Sequence, residues 1–216
     1  KFPDGKKVDQ FAIKIFTKIT STGSNKKLAL SFYDLKETKN DVTVVPPLLR
    51  NQVFELNAEK SEHYLIYLVN NGYFDEIADW HNKNQDVELH CFTDNPQYIH
   101  SNYNFNKNKL FVHPINDKLF LEKMSGARGL ATSAGFESVC EAMYLGKPVL
   151  MVPIKGHYEQ FCNSRDAHKA GAGIYADTFE LSKLQKYTEQ HNYENPHFKL
   201  WIANAKEKIY KEIESV

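Results

Sequence analysis

From residue 62 onward, apolar positions follow two alternating spacings. Short and nearly continuous apolar runs, such as HYLIYLV at 63–69, are typical of strands buried on both faces of a parallel sheet. Between them lie segments of about ten residues with apolar positions one helical turn apart, as in YFDEIADWHNK at 73–83. Strands that alternate with such helices indicate right-handed βαβ units. The pattern therefore predicts an α/β fold with a parallel sheet of about six strands and helices on both faces.

The same periodicity sets the expected bounds of each element. Strands are expected at 63–69, 87–92, 110–115, 129–133, 148–154 and 173–176. Helices are expected at 73–83, 117–127, 136–145, 158–170, 179–190 and 197–215.

The first sixty residues have a different pattern. Phe11, Ile15 and Ile19 are spaced four apart and predict one apolar helix face. Strands are expected at 28–33 and from 42, where the second runs into Pro46 and Pro47. Because two prolines interrupt both helix and sheet, we expect a linker there. The chain begins with Lys1 rather than Met, so we also expect it to be a piece of a longer protein.

Composition excludes several functional classes. The 216 residues include 27 Lys plus Arg and 27 Asp plus Glu, and a net charge of zero argues against nucleic-acid binding. No apolar run approaches the roughly 18 residues of a membrane span. Three widely spaced cysteines fit a reducing cytoplasm. The nine histidines form no H-x-x-x-H pair and the cysteines no C-x-x-C pair, so we expect no metal site.

The turn that follows the fourth strand has the features of an anion site. Ligands of open α/β sheets bind beyond the carboxyl ends of the strands. Small residues at Ser133, Ala134 and Gly135 let a ligand approach the backbone, and the next helix directs its free N–H groups at the gap. Glu141, further along that helix, suits a neutral diol such as a ribose. The alternative is that Glu137 and Glu141 are surface carboxylates and the glycine only makes a turn.

A second polar segment is the loop at 154–160. Gln160 has both donors and acceptors, which suits sugar hydroxyls, and Glu159 offers a further acceptor. The alternative is an ordinary helix cap. Asn163 lies one turn further on, and His157 has no evident carboxylate partner, so we interpret it as a surface or substrate-contacting residue rather than a catalytic one.

The order of these motifs resembles a known signature. TSAGFESVCEAMYLGKPVLMVPIKGHYEQFCNSRDAHKAGAGI at 132–174 is similar to the nucleotide-sugar-binding segment of GT-B glycosyltransferases. It resembles two families, the UDP-glucuronosyltransferase-like family and the family of the peptidoglycan UDP-N-acetylglucosamine transferase. The sequence departs from the first in two ways, since Ser133 replaces the signature histidine and Ala134-Gly135 replaces a Gly-Gly pair.

The resemblance implies a role for each candidate residue. It places Ser133, Ala134, Gly135, Glu137 and Ser138 at the donor pyrophosphate, Glu141 at the ribose, and the backbone of Ile115 at the uracil edge. It places Glu159, Gln160, Asn163 and His157 at or near the transferred sugar, and Asn71 and Gly72 at a turn near the phosphates or the acceptor.

The resemblance also implies an organisation for the chain. It predicts a Rossmann-like C-terminal donor domain at 62–216, an interdomain linker at 46–61 and the tail of a truncated N-terminal acceptor domain at 1–45. The resemblance further implies that the donor is a UDP-sugar, that transfer is inverting, and that neither a cofactor nor a metal ion is needed. The catalytic base is unidentified and expected in the missing N-terminal region, so this piece alone is expected to be inactive.

The same resemblance leaves the acceptor open, whether lipid-linked or carbohydrate. It implies a cytoplasmic enzyme or one peripheral to the inner face of a membrane. Two other functions stay open at this point. One is a nucleotide-sugar epimerase on the same fold, and the other is a non-catalytic nucleotide-sugar-binding module.

Overall fold

The computed structural model describes residues 6–35, 42–57, 61–68, 71–99, 109–190 and 194–215. Six strands of this part form one wholly parallel sheet in the order β5-β4-β3-β6-β7-β8. Their bounds are β3 Tyr64–Leu68, β4 Leu89–Thr93, β5 Leu110–Pro114, β6 Gly129–Thr132, β7 Val149–Met151 and β8 Gly173–Tyr175. The predicted α/β fold with six parallel strands is confirmed.

The strand order creates a crevice at the carboxyl edge of the sheet. The chain moves outward from β3 through β4 to β5, then returns to the other side of β3 to form β6. Tyr64 accordingly pairs with Leu89 on one side and with Gly129 on the other. Ligands of open α/β folds bind at such a reversal.

Helices cover both faces, as the pattern predicts. One core contains Leu65 and Leu130 of the sheet, and the other contains Ile66 and Leu150, because successive side chains of a strand point to opposite faces. The helices are α3 Phe74–Lys83, α4 Pro96–Ile99, α5 Asp117–Gly126, α6 Phe136–Tyr144, α7 Tyr158–Lys169, α8 Leu181–Gln190, α9 Pro196–Ala203 and α10 Ala205–Glu214. The single helix expected at 197–215 is therefore wrong, because the chain leaves helical geometry at Asn204.

The N-terminal segment packs against this body. It comprises α1 Lys7–Thr20, β1 Lys27–Leu30, β2 Val42–Val45 and the short α2 Asn51–Glu55, with β1 and β2 paired in parallel. Phe32 contacts Phe136 with ring centroids 4.5 Å apart, and Trp201 Nε1 donates to Ser31 O at 2.9 Å. The division at 46–61 stays a prediction.

None of the described helices is both long enough and apolar enough to cross a membrane.

Candidate functional site

The turn after β6 holds a buried hydroxyl in an uncommon backbone setting. Ser133 is only 2% exposed, and its Oγ has no hydrogen-bond partner among the described residues. Ala134 adopts a left-handed conformation with φ +65°, which costs a non-glycine residue about 1–2 kcal/mol. Asn163 Nδ2 donates to Ala134 O at 3.4 Å and so supports the turn from α7. An unpaired hydroxyl and a strained residue at one turn are typical of a ligand-binding position.

The start of α6 faces the same turn. Gly135 is the N-cap residue, and no side chain of the described residues caps this helix. The first amides of a helix have no acceptor within it, and the aligned peptide dipoles place about half a positive charge there. Ser138 Oγ donates backwards to Gly135 O at 3.3 Å, while Glu137 is exposed. The turn and helix start together can therefore bind an anion.

Glu141, the predicted ribose ligand, is buried and bound by an arginine. Its two carboxylate oxygens accept from Nε and Nη2 of Arg50, each at 2.6 Å. The Glu141 side chain is 3% exposed and that of Arg50 is 34% exposed. The hydrogen bond to Glu141 raises the pKa of Arg50 above its usual value, against the opposing effect of burial. The interpretation of Glu141 as a surface carboxylate is thus wrong, because this face of α6 packs against the segment after β2.

Two groups from neighbouring elements surround this ion pair. Asp117 Oδ1, in the first turn of α5, lies 3.4 Å from Nη1 of Arg50. Tyr67, near the carboxyl end of β3, has its pKa raised first by burial and then by the charge of Asp117. The ion pair therefore lies between the start of α5 and α6, at the edge where the strand order reverses.

The loop before α7 contains a side chain that is already partly bonded. Gln160 Oε1 accepts from Ile154 N at 2.9 Å, which leaves its Nε2 amide as the donor for a ligand. Glu159 is exposed in the first turn of α7, and His157 is exposed at its N-cap. Gln160 therefore holds the loop at Ile154 and does not cap α7, which has no side-chain cap bond among the described residues. Its Nε2 remains the donor for the predicted ligand.

The remaining predicted residues lie at the same edge of the sheet. Ile115 follows β5 directly and is 42% exposed. Asn71 and Gly72 begin a short 3-10 helix, Asn71–Tyr73, before α3. Gly72 is exposed, and the side chain of Asn71 lies outside the described part.

Arg50 is the site residue that sequence reasoning missed. It stands in VPPLLR, which was interpreted only as a linker. One signal was available in the sequence. Arg50 is a cation directly after an apolar linker, and Glu141, the predicted ribose ligand, needs a counter-charge if it is buried. Nothing in the spacing tells which carboxylate it meets, because 91 positions separate the two residues.

A scan against protein-family models decides the family. The model described as glycosyl transferase family 1 matches residues 2–190, most of the chain. The chain belongs to glycosyl transferase family 1. No sequence among curated proteins matches this family 1 chain significantly.

Solved structures similar to the family 1 chain share its fold. Phytolacca americana UGT2, complexed with UDP-2fluoro-glucose and pterostilbene, aligns with a TM-score of 0.63 at 13% identity, over 99% of this chain and 60% of its own. CalG4, the calicheamicin glycosyltransferase, gives 0.61 at 14% identity over 98% and 59%. Acinetobacter baumannii MurG gives 0.56 at 19% identity over 88% and 60%. All three are GT-B glycosyltransferases, which confirms the fold that the signature predicts.

The alignments cover a larger share of this chain than of the solved structures. The family 1 chain is covered almost completely, yet it spans less than two thirds of the length of each of these three structures. Each of the three proteins therefore contains a further part that has no counterpart in this chain.

Proposed function

We propose that this chain is the donor-binding part of a glycosyltransferase that moves a sugar from a UDP-sugar to an acceptor, with inversion and without a metal ion. The observation that carries the proposal is the Ser133 hydroxyl, buried and unpaired at the start of α6. A buried hydroxyl without a partner costs free energy in the free protein, and an anion at the helix start removes that cost.

The pyrophosphate of the donor lies in this proposal at Ser133, Ala134 and Gly135. The left-handed turn at Ala134 directs the chain into α6, whose first amides donate to the phosphate oxygens. As the bond between sugar and phosphate breaks, negative charge grows on the leaving diphosphate. The helix start and the Ser133 hydroxyl stabilise that charge, which is the role a metal ion has in other transferases.

The ribose lies at Glu141, with Arg50 as a positioning residue. An ionised carboxylate has about four lone-pair positions, and Arg50 occupies two of them. The other two remain for the ribose hydroxyls. Arg50 fixes the carboxylate in a buried place and supplies the counter-charge that a buried ion needs.

In this proposal the transferred sugar and the uracil lie on opposite sides of the pyrophosphate and the ribose. Gln160 donates its Nε2 amide to a sugar hydroxyl, with Glu159, Asn163 and His157 nearby. The base reaches the backbone of Ile115 beyond β5. The structural similarity to Phytolacca americana UGT2, which was solved with UDP-2fluoro-glucose, supports a uridine donor over other nucleotides.

In this proposal the catalytic base and the acceptor pocket belong to a separate N-terminal domain. Transfer by direct displacement at the anomeric carbon requires that a base remove the acceptor proton, and positioning supplies most of the remaining rate. The similar structures are all longer than this chain, which fits that assignment. The acceptor, whether lipid-linked or carbohydrate, and a cytoplasmic or peripheral membrane location belong to the same proposal.

The test uses two serine variants and thermal unfolding. Ser133→Ala removes a hydroxyl without a partner, so it leaves the unfolding midpoint unchanged or raised, while UDP binds about 3–10-fold more weakly. Ser125→Ala is the matched control, because Ser125 Oγ is buried in α5 and donates to Glu122 O at 2.8 Å. It lowers stability by about 1 kcal/mol and leaves UDP affinity unchanged.

The ligand series decides between nucleotides. UDP and UDP-sugars raise the midpoint with concentration, and GDP-sugars do so much less. Equal stabilisation by GDP and UDP sugars, or UDP affinity untouched by Ser133→Ala, contradicts the proposal.

A further inference from the structure

Three potential metal ligands meet at the amino edge of the sheet, opposite the turns described above. His63 lies directly before β3, Glu88 directly before β4, and His90 is the second residue of β4. Within the described ranges they form the one group of three His, Cys, Asp or Glu side chains whose ligand atoms all lie within 4.8 Å of one another. Parallel strands begin at the same edge, so residues far apart in sequence converge here.

The three side chains differ in exposure in a way that suits ion entry. His63 and His90 are 7% and 4% exposed, whereas the Glu88 side chain is 41% exposed. The two imidazoles are thus shielded from water, and the carboxylate opens toward it. Glu88 therefore forms the exposed side of the cluster.

His90 can offer a lone pair without losing its outer partner. Its Nε2 lies 2.9 Å from Glu88 Oε1, and its Nδ1 lies 2.8 Å from Nε2 of His113. When Nδ1 carries the proton and donates it to His113, Nε2 presents its lone pair on the side of Glu88. His113 then carries its own proton on Nδ1, so both rings stay neutral. Metal-binding histidines are typically fixed through the second ring nitrogen in this way.

His63 has the same kind of outer support. Its Nε2 lies 2.8 Å from Lys123 O, and since a carbonyl only accepts, Nε2 carries the proton and Nδ1 the lone pair. Ser61 Oγ is 2.6 Å from Nδ1 and 2.7 Å from Gly126 O. Oγ therefore stands in the direction of the Nδ1 lone pair, and Nδ1 can bind an ion only when the Ser61 side chain rotates Oγ aside.

We propose that His63, Glu88 and His90 bind a divalent ion of the Zn²⁺ class, with water as the fourth ligand. Two imidazoles and one carboxylate are a ligand set that zinc accepts, and bonds of about 2.0–2.1 Å place tetrahedral ligand atoms about 3.3 Å apart. The cluster therefore has to close by no more than about 1.5 Å between any two of its ligand atoms. The ion ties the start of β3 to the start of β4, and this structural role is independent of the proposed sugar transfer.

The charges of Lys123 and Glu88 should have opposite effects on the affinity for the ion. The positive charge of Lys123 acts on both His63 and His90, and the carbonyl oxygen of Lys123 lies 2.8 Å from His63 Nε2, so this residue stands beside the same cluster. A bound dication is repelled by this lysine and attracted by Glu88. Removing the lysine charge should therefore strengthen binding, while removing the glutamate charge should weaken it.

The experiment is a Zn²⁺ titration of the chelator-treated chain by calorimetry, with Co²⁺ absorption as a second readout. The wild type is expected to bind one ion and to show the intense visible bands of tetrahedral Co²⁺. Glu88→Gln keeps an acceptor for His90 and so keeps the fold, but lowers Zn²⁺ affinity more than tenfold. Lys123→Met raises the affinity at least twofold. Glu62→Gln, a neighbouring carboxylate with an 88% exposed side chain, is the control and changes nothing.

Two results overturn the proposal. One is the absence of Zn²⁺ binding by the wild type, which means that the cluster is only hydrogen-bonded. The other is Zn²⁺ binding that Glu88→Gln and Lys123→Met leave unchanged, with the weak bands of octahedral Co²⁺, which means adventitious binding at exposed histidines. Circular dichroism of each variant confirms that its fold is retained.

Discussion

Replacement of Arg50 by methionine is expected to destabilise the fold strongly, although the side chain is one third exposed. Methionine keeps most of the aliphatic contact and removes the guanidinium. The Glu141 carboxylate, 3% exposed, then loses two charge-assisted hydrogen bonds of 2.6 Å and remains buried. It must take up a proton or draw water into the site.

The expected cost follows from burial. Removing one partner of a fully buried ion pair costs about 3–5 kcal/mol, because the other charge is left uncompensated. Arg50 is partly solvated, so water entering its place recovers some of that loss, and we expect about 2–4 kcal/mol. An exposed pair at the start of α8 is the matched control. Lys183 Nζ lies 3.0 Å from Glu180 Oε2 with both side chains about half exposed, and Lys183→Met should cost less than about 0.5 kcal/mol.

Urea unfolding followed by circular dichroism measures both variants, and equal m-values allow their free energies to be compared. The double variant Arg50→Met with Glu141→Leu completes the cycle. It should be more stable than Arg50→Met alone, because no charge is left buried without a partner. The reasoning is refuted if Arg50→Met costs no more than Lys183→Met, or if adding Glu141→Leu gives no recovery.

Four further outcomes are expected. Gly135→Ala should leave the unfolding midpoint unchanged, since its Cβ comes no closer than 3.7 Å to a neighbouring atom, while calorimetry shows UDP binding at least tenfold weaker. Gln160→Ala should weaken UDP-sugar binding by about 1–3 kcal/mol and leave UDP binding unchanged. An unchanged ratio of the two affinities would reduce the residue to holding the loop at Ile154. Gly173→Ala should cost about 3 kcal/mol or more in urea unfolding, because its Cβ would lie 2.1 Å from Val149 O at φ +147°. Burial lowers the pKa of His81 below its usual 6.5, so the unfolded chain binds more protons than the folded one below about pH 6.5. The free energy of unfolding should therefore fall as the pH drops below that value. His81→Gln, which keeps a donor for the carbonyl oxygen of Val87, should make this fall less steep.

The sheet could be predicted from sequence because its strands carry their own signal. Leu65 and Ile66 point to opposite faces and are both fully buried, so the run around them had to be apolar throughout. Helix ends were less well marked. Asn204 ends α9 and begins α10 with neither glycine nor proline to mark the break in the sequence.

The candidate site was predictable as a set of turns and not as a set of contacts. Ser133, Gly135 and Glu141 follow one another closely and lie together for that reason. The bond between Gln160 and Ile154 is also local, yet only the folded loop decides which half of the amide it uses. The contact of Arg50 with Glu141 depends on how the segment after β2 packs against α6, and the cluster of His63, Glu88 and His90 depends on the register of β3 against β4. No spacing in the sequence records either.

The position of β3 at the centre of the sheet also bears on how the chain folds. Its partner β6 arrives only after β4, β5 and the helices between them, so the β3–β6 ladder closes a long loop. Pairings between distant segments form slowly, because the entropy of loop closure is lost before the contacts are gained. Until β6 arrives, one edge of β3 has unpaired backbone groups and apolar side chains, and such an edge can pair with another chain. Slow synthesis and low temperature should therefore favour soluble protein over aggregate.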